Sequence, residues 1–222
     1  RYRSQGYMNK SDVVVIDYGI GNLLSVQRGL EYCGADVTVT DDKDIIMNAT
    51  RVVLPGVGAF SDGMKGLNQT GLNHVVCDYA ASGKPLLGIC LGMQMLLNES
   101  EEFGFSQGLG LISGKVIAIP SLNIENKNHK IPHIGWNSLK LPEGREQWDG
   151  TLLNNVVPGE SVYFVHSFMA EVSSSEHQIA NCLYGGIKIS AVIGSGNIIG
   201  CQFHPEKSGD VGLKILKHFI NL

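Results

Sequence analysis

The sequence is short of most features that would place it outside the ordinary globular class. No two of its five cysteines, at 33, 77, 90, 182 and 201, are spaced as Cys-x-x-Cys, which argues against a disulfide framework and against a zinc ribbon. A reducing, cytoplasmic compartment is the expectation. No stretch approaches the ~18 consecutive apolar residues of a membrane helix; the longest candidate, Leu86 to Leu97, is interrupted by Gly88, Gly92 and Gln94. There is no basic excess: the formal net charge is −4, so neither nucleic acid nor a membrane surface is an expected partner. No G-x-x-x-x-G-K-[ST] loop occurs, which excludes a P-loop nucleotidase. His204-x-Glu206 also opens the zinc deaminase signature, but the Pro-Cys-x-x-Cys that must follow is missing, so zinc is rejected. No metal and no cofactor are expected.

What the chain has instead is glycine, 28 in 222 residues, without a collagen period or a Gly/Ser linker, so the excess must lie in tight turns and close backbone approaches. The length suits one large domain, expected over 8–222. Residues 1–7, which precede Met8, read as a scar of expression.

The first half alternates strand and helix. Asp12–Asp17 is a β-branched run of the kind buried on both faces of a sheet. Asn22 reads as the N-cap of a helix that starts at Leu23 and ends at Gly34. Strands follow at Ala35–Thr40, Arg51–Leu54 and Pro85–Ile89, with helical spacing from Phe60 to Ala81 and again from Leu91 to Leu97. Such alternation predicts an α/β fold with a mostly parallel, doubly wound open sheet. The second half adds strands at Val116–Ile119, Ile134–Leu139, Val162–Phe168, Ile187–Ile193 and Ile198–Phe203. Gly194–Asn197 reads as a hairpin loop and Asp210–Phe219 as a closing helix. Asn123–Lys130 and Pro142–Gly150 read as surface loops.

Three segments carry chemistry. Gly88-Ile89-Cys90-Leu91-Gly92 has the form of a nucleophile elbow with cysteine for serine. The strained strand-to-helix turn exposes the thiol at a helix start, where partial positive charge favours thiolate. His204-Pro205-Glu206 supplies an imidazole able to take and return a proton, and a carboxylate able to fix its tautomer. Pro55-Gly56-Val57-Gly58-Ala59-Phe60 either turns backbone N–H groups towards an oxyanion or is a plain strand-to-helix turn. Gln94, one helical turn after Cys90, is either a substrate contact or a satisfied core amide. Gly19-Ile-Gly21-Asn-Leu-Leu24 imitates a dinucleotide fingerprint, but Leu24 stands where the third glycine belongs.

Taken together, GICLGMQ, PGVGAF and QFHPEKS resemble the class I glutamine amidotransferases over residues 12–221. DYGIGNL at 17–23, HIGWN at 133–137, YFVHSF at 163–168 and Met93 make the match closest to the branch that serves imidazole glycerol phosphate synthesis. The resemblance implies a flavodoxin-like fold, a Cys90–His204–Glu206 triad and L-glutamine as substrate. It further implies an oxyanion site at Leu91, Val57 and Gly58, and glutamine binding by Gln94, Ser167 and Phe168. The expected partner is a (β/α)8-barrel synthase in a heterodimer for histidine biosynthesis, received on His133, Gly135, Trp136 and Asn137. Low activity without that partner is expected, with Val57–Gly58 as the switch. Alternatives are an amidotransferase for surface-sugar synthesis, a free-standing γ-glutamyl cysteine hydrolase, and a non-catalytic subunit that kept the fold.

Overall fold

The computed structural model describes residues 11–222; the segment 1–7 lies outside the described residues. In chain order the elements are β1 (Ser11–Ile16), α1 (Leu23–Tyr32), β2 (Ala35–Thr40), α2 (Lys43–Asn48), β3 (Val52–Leu54), α3 (Phe60–Thr70), α4 (Leu72–Ala81), β4 (Leu86–Ile89) and α5 (Leu91–Met95). They continue with β5 (Glu99–Ser100), β6 (Ser106–Gln107), β7 (Gly114–Ala118), β8 (His133–Ser138), β9 (Ser161–His166), β10 (Phe168–Val172), β11 (Gln178–Tyr184), β12 (Ile187–Ser195), β13 (Ile198–Cys201) and α6 (Gly209–Phe219).

The main sheet has the order β11-β12-β13-β4-β3-β1-β2. The five strands from β13 to β2 are mutually parallel, whereas β11, β12 and β13 form an antiparallel meander. This is the expected α/β architecture, with antiparallel strands added in the second half. The central strands are short and wholly apolar, as strands covered on both faces must be. Val13 and Val15 point into one core with Leu87, Ile89 and Phe203, beneath α1 and α6. Val14 and Ile16 point into the other with Leu54, Leu86 and Tyr79, beneath α2 to α5.

Several expectations are corrected. Val162–Phe168 is not one strand: β9 pairs with β8 in a two-stranded ribbon, while β10 pairs with β7 in a separate four-stranded sheet, and the chain changes sheets at Ser167. The helical spacing over Phe60–Ala81, interrupted by glycines as expected, is two helices that meet at Gly71. Helix α5 is five residues long and stops at Met95, because Gly108 to Ile112 cross its end: Leu109 N donates to the Met95 carbonyl, and Leu111 N and Ile112 N to that of Leu96. The Pro142–Gly150 loop is pinned rather than merely superficial: Trp148 is buried and its indole donates to the Ile179 carbonyl at 2.8 Å. Among the described residues no helix is long and apolar enough to cross a membrane.

Candidate active site

Open α/β sheets carry their sites at the carboxyl ends of the strands, and three neighbouring strands end together here. Strand β4 runs into Cys90, β13 leads to His204 and β3 leads to the Pro55–Gly58 loop.

The turn at Cys90 is strained, with φ 55° and ψ −112°, a conformation worth roughly 1–3 kcal/mol for a residue bearing a side chain. It is held by the Cys90 N–H, which donates to the Cys201 carbonyl on β13 at 2.8 Å, and by the Cys90 carbonyl, which accepts from Gln94 N at 3.2 Å. The flanking glycines are demanded by space. A Cβ on Gly92 would lie 1.9 Å from the Leu54 carbonyl oxygen, and one on Gly88 would lie 2.7 Å from the Gly92 oxygen. The elbow therefore sits directly against the end of β3. Tyr18, of the DYGIGNL segment, braces the neighbouring loop by donating its buried hydroxyl to the Pro55 carbonyl at 2.6 Å.

His204 is almost wholly buried, and its Nδ1 is 2.8 Å from Glu206 Oε1, itself buried. A carboxylate can only accept, so Nδ1 carries the proton and Nε2 is the nitrogen left for chemistry. Burial opposes a charged ring here. The Cys90 thiol and the Glu206 carboxylate beside it outweigh burial and raise the His204 pKa to about 9. The backbone is fixed as well: His204 N donates to the Tyr163 carbonyl, and Ser208 Oγ caps the His204 carbonyl at 2.6 Å while accepting from Tyr163 N.

A cavity of about 320 Å³ opens over Cys90, at the small end of the roughly 300–1,000 Å³ usual for ligand sites. Its wall brings together Val57, Gly58, Leu91, Gln94, Ser167, Phe168 and His204, residues from four distant parts of the sequence. A cavity of similar size, about 340 Å³, lies at the opposite ends of β4 and β13, around Pro85, Asn197 and Arg145; no cysteine or histidine lines it.

Gln94 is a tied amide on the cavity wall. Its Nε2 donates to the Phe168 carbonyl at 3.2 Å and to Gln202 Oε1 at 3.0 Å. Gln202 in turn points its Nε2 at Cys90 Sγ, 3.7 Å away. Neither Gln202 nor Glu102 stands out in the sequence. Glu102 lines the cavity, and its Oε2 accepts from Phe60 N at 2.9 Å. Burial pushes its carboxyl pKa upward, against that backbone bond. The one signal that could have found Gln202 is a polar amide inside the otherwise apolar run Ile198–Phe203, two residues before His204.

The HIGWN segment is β8. Ile134 and Trp136 are exposed, Gly135 and Asn137 are half-buried, and His133 faces inward. Of the four residues expected to receive a partner, His133 is thus on the inner face, where its Nδ1 lies 2.9 Å from His166 Nε2.

Comparison with known proteins points to one family. The family described as "Glutamine amidotransferase class-I" matches residues 14–222. "Imidazole glycerol phosphate synthase subunit HisH 1" of Legionella pneumophila (strain Lens) is 53% identical over 212 residues, covering 96% of this chain and 100% of its own. The "Imidazole glycerol phosphate synthase subunit HisH" of Methanosarcina barkeri (strain Fusaro / DSM 804) is 46% identical, with 95% and 98% covered. Among solved structures, a crystal structure of a glutamine amidotransferase superposes with a TM-score of 0.69 at 16% identity, covering 94% of this chain and 99% of that one. PurLQS from Thermotoga maritima gives 0.68 at 21% identity, with 94% and 97% covered. At those identities the superpositions speak for the fold alone. With a family match over nearly its whole length and relatives half identical from end to end, this chain belongs to the class I glutamine amidotransferases.

Proposed function

We propose that this protein is the glutaminase subunit of an imidazole glycerol phosphate synthase, supplying ammonia for histidine biosynthesis to a (β/α)8-barrel subunit. The observation that carries the reading is the full-length identity of 53% to a subunit of that name, joined to a cysteine and a carboxylate-paired histidine facing one cavity.

His204 Nε2, whose raised pKa lets it hold the proton it shares with Cys90 Sγ, leaves the sulfur free to attack the side-chain amide carbon of glutamine. The oxyanion that forms is met by the Leu91 N–H and by a backbone N–H of Val57 or Gly58, each worth about 3–4 kcal/mol. His204 returns the proton to the departing ammonia, with Glu206 holding the ring. A water, deprotonated by the same nitrogen, hydrolyses the γ-glutamyl thioester and frees glutamate. Both polar hydrogens of Gln94 are committed to the protein, which leaves its Oε1 and the Glu102 carboxylate, on the same cavity wall, as acceptors for the substrate's ammonium. The Ser167–Phe168 backbone closes the opposite side. Ammonia released into water would be protonated and lose its nucleophilicity, which favours a dry passage into a docked partner. The exposed Ile134 and Trp136 of β8, flanking Gly135 and adjoining Asn137, are the proposed landing for it. All five cysteines are free thiols, which suits a reducing cytoplasm.

The test is a partner-dependent assay. The chain is incubated with glutamine, alone and with the barrel subunit from the same cell, and glutamate release and imidazole glycerol phosphate formation are measured. Turnover is expected only in the complex, and a diazoketone analogue of glutamine is expected to label Cys90. Failure to label Cys90 refutes the glutaminase reading. Full-rate cleavage of γ-glutamyl peptides by the chain alone replaces it with a free-standing hydrolase.

A further inference from the structure

Two buried histidines that the proposed chemistry does not use lie between the exposed face of β8 and the cavity. We infer that His133 and His166 form a one-directional hydrogen-bond relay that holds the Ser167–Phe168 wall of the glutamine site in shape, as positioning residues. The inference rests on reading this cavity as the glutamine site.

The direction of the relay follows from its two ends. At the inner end His166 Nδ1 is 2.7 Å from the Phe168 carbonyl oxygen. A carbonyl only accepts, so this nitrogen carries the proton. His166 Nε2 is then the acceptor, and His133 Nδ1, 2.9 Å away, must donate to it. At the outer end Asn137 gives an independent answer. Its Nδ2 donates to the Leu183 carbonyl at 2.8 Å, and its Oδ1 accepts from Ser138 N at 2.8 Å, so the amide cannot be turned round. The same Nδ2 lies 3.3 Å from His133 Nε2, which makes that nitrogen an acceptor and again puts the proton on Nδ1. Both ends therefore demand the same tautomer, and every donor points from β8 towards the cavity.

The rings have little freedom to do otherwise. His133 is stacked between Tyr184, at 4.2 Å, and Phe164, at 4.8 Å, with interplanar angles of 27° and 22°. Burial, reinforced by His129, pulls the His133 pKa down to about 4. Burial does the same to His166, against its bond to Phe168 and helped by His133 and His204. Both rings are thus neutral near pH 7, with one donor and one acceptor each. Protonation of either would set two donors against one another.

What the relay holds is the point where the chain changes sheets. Strand β9 ends at His166 and β10 begins at Phe168, so the His166–Phe168 bond spans the kink that forms the cavity wall. The Phe168 carbonyl also accepts from Gln94, so one oxygen joins the relay to the amide beside Cys90. On β8 the relay residues His133 and Asn137 alternate with the exposed Ile134 and Trp136, so pressure on the outer face of the strand bears on the relay.

The experiment has two arms, both on the full chain. Imidazole nitrogen NMR on the parent protein near neutral pH is expected to show Nδ1 protonated and Nε2 bare at both positions; an Nε2–H tautomer at either overturns the relay. In the second arm, labelling of Cys90 by the diazoketone analogue is followed as a function of its concentration. For His133→Phe, which leaves His166 Nε2 without a donor, half-saturation is expected to rise about tenfold while the limiting rate changes less than about twofold. His133→Asn places an N–H where Nδ1–H stood and is expected to restore parental half-saturation. Equal half-saturation in the Phe variant and the parent, or no rescue by Asn, also overturns the relay. Should His133→Phe fail to fold, the tautomers and His133→Asn decide. Should the parent not label at all, the glutamine reading falls, and the NMR arm alone decides the relay.

Discussion

Glu206 spends one carboxylate oxygen on the His204 ring and keeps the other buried without a partner among the described residues. An arrangement of that kind holds a charge in place for its effect on the ring rather than for its own stability. Replacing the carboxylate in Glu206→Gln removes one of the two influences that raise the His204 pKa. The expected result is a drop of about a hundredfold in glutamine hydrolysis, with the pH profile of Cys90 labelling moved, as read by mass spectrometry at a series of pH values. Gln202→Leu removes the amide that faces both Cys90 Sγ and Gln94. Labelling of Cys90 is expected to slow about tenfold, with no loss in urea stability beyond about 1–3 kcal/mol. The cysteine, histidine and glutamate were legible in the sequence because each belongs to a local motif. Glu102 was not, because nothing local sets it apart from its neighbours Glu99 and Glu101, and it gains its place only through the Phe60 N–H of a helix about forty residues away.

At the level of elements, the parallel strands β1 to β4 and the last hairpin were readable because short apolar runs bounded by turn residues, β-branched in β1 to β3, admit little else. Strand β11, QIANCLY, was missed since Asn181 interrupts its apolar pattern; the Gln178 amide donates to Asn181 Oδ1 and to Ser190 Oγ of β12, which no local periodicity reveals. Helix α2 was missed because KDIIMN is too short to show a period, although Asp42 caps it through two backbone N–H groups. The break at Ser167 was invisible for another reason: YFVHSF is a good strand sequence throughout, and only pairing with two different sheets divides it. Two outcomes follow at this scale. Gly92→Ala forces a Cβ onto the Leu54 carbonyl, which neither backbone can yield without parting the elbow from β3. A loss of about 3 kcal/mol or more in urea unfolding is expected, together with loss of Cys90 labelling. Trp136→Ala removes a side chain that is 59% exposed. Its unfolding midpoint is expected to stay within about 0.5 kcal/mol of the parent, while affinity for the proposed barrel subunit falls by roughly tenfold or more, measured by calorimetry.

For the molecule as a whole, three buried histidines set opposing limits on stability. His133 and His166 titrate near pH 4 when folded and near ~6.5 when unfolded. The unfolded chain therefore takes up protons first, and their contribution, complete above pH ~6.5, is lost as the pH falls towards 4. His204 is raised to about 9, so its contribution is complete below pH ~6.5 and is lost as the pH climbs through 9. Urea midpoints measured across the pH range are expected to peak near ~6.5 on account of these three groups. His133→Phe is expected to flatten the acid side and His204→Ala the alkaline side. The parallel sheet was predictable as a class, but its order was not, because alternation of strand and helix does not say which strands become neighbours.

That order has a further consequence. The segments after Leu54, Cys90 and Cys201 meet only because β3, β4 and β13 lie side by side, and β13 arrives from the far end of the chain. A cut at Gly144, an exposed glycine between the two halves, would leave the sulfur on one fragment and the imidazole on the other. Neither piece would be reactive by itself, and return of thiol reactivity on mixing would report the zipping of β13 onto β4, making the enzyme a sensor of its own assembly.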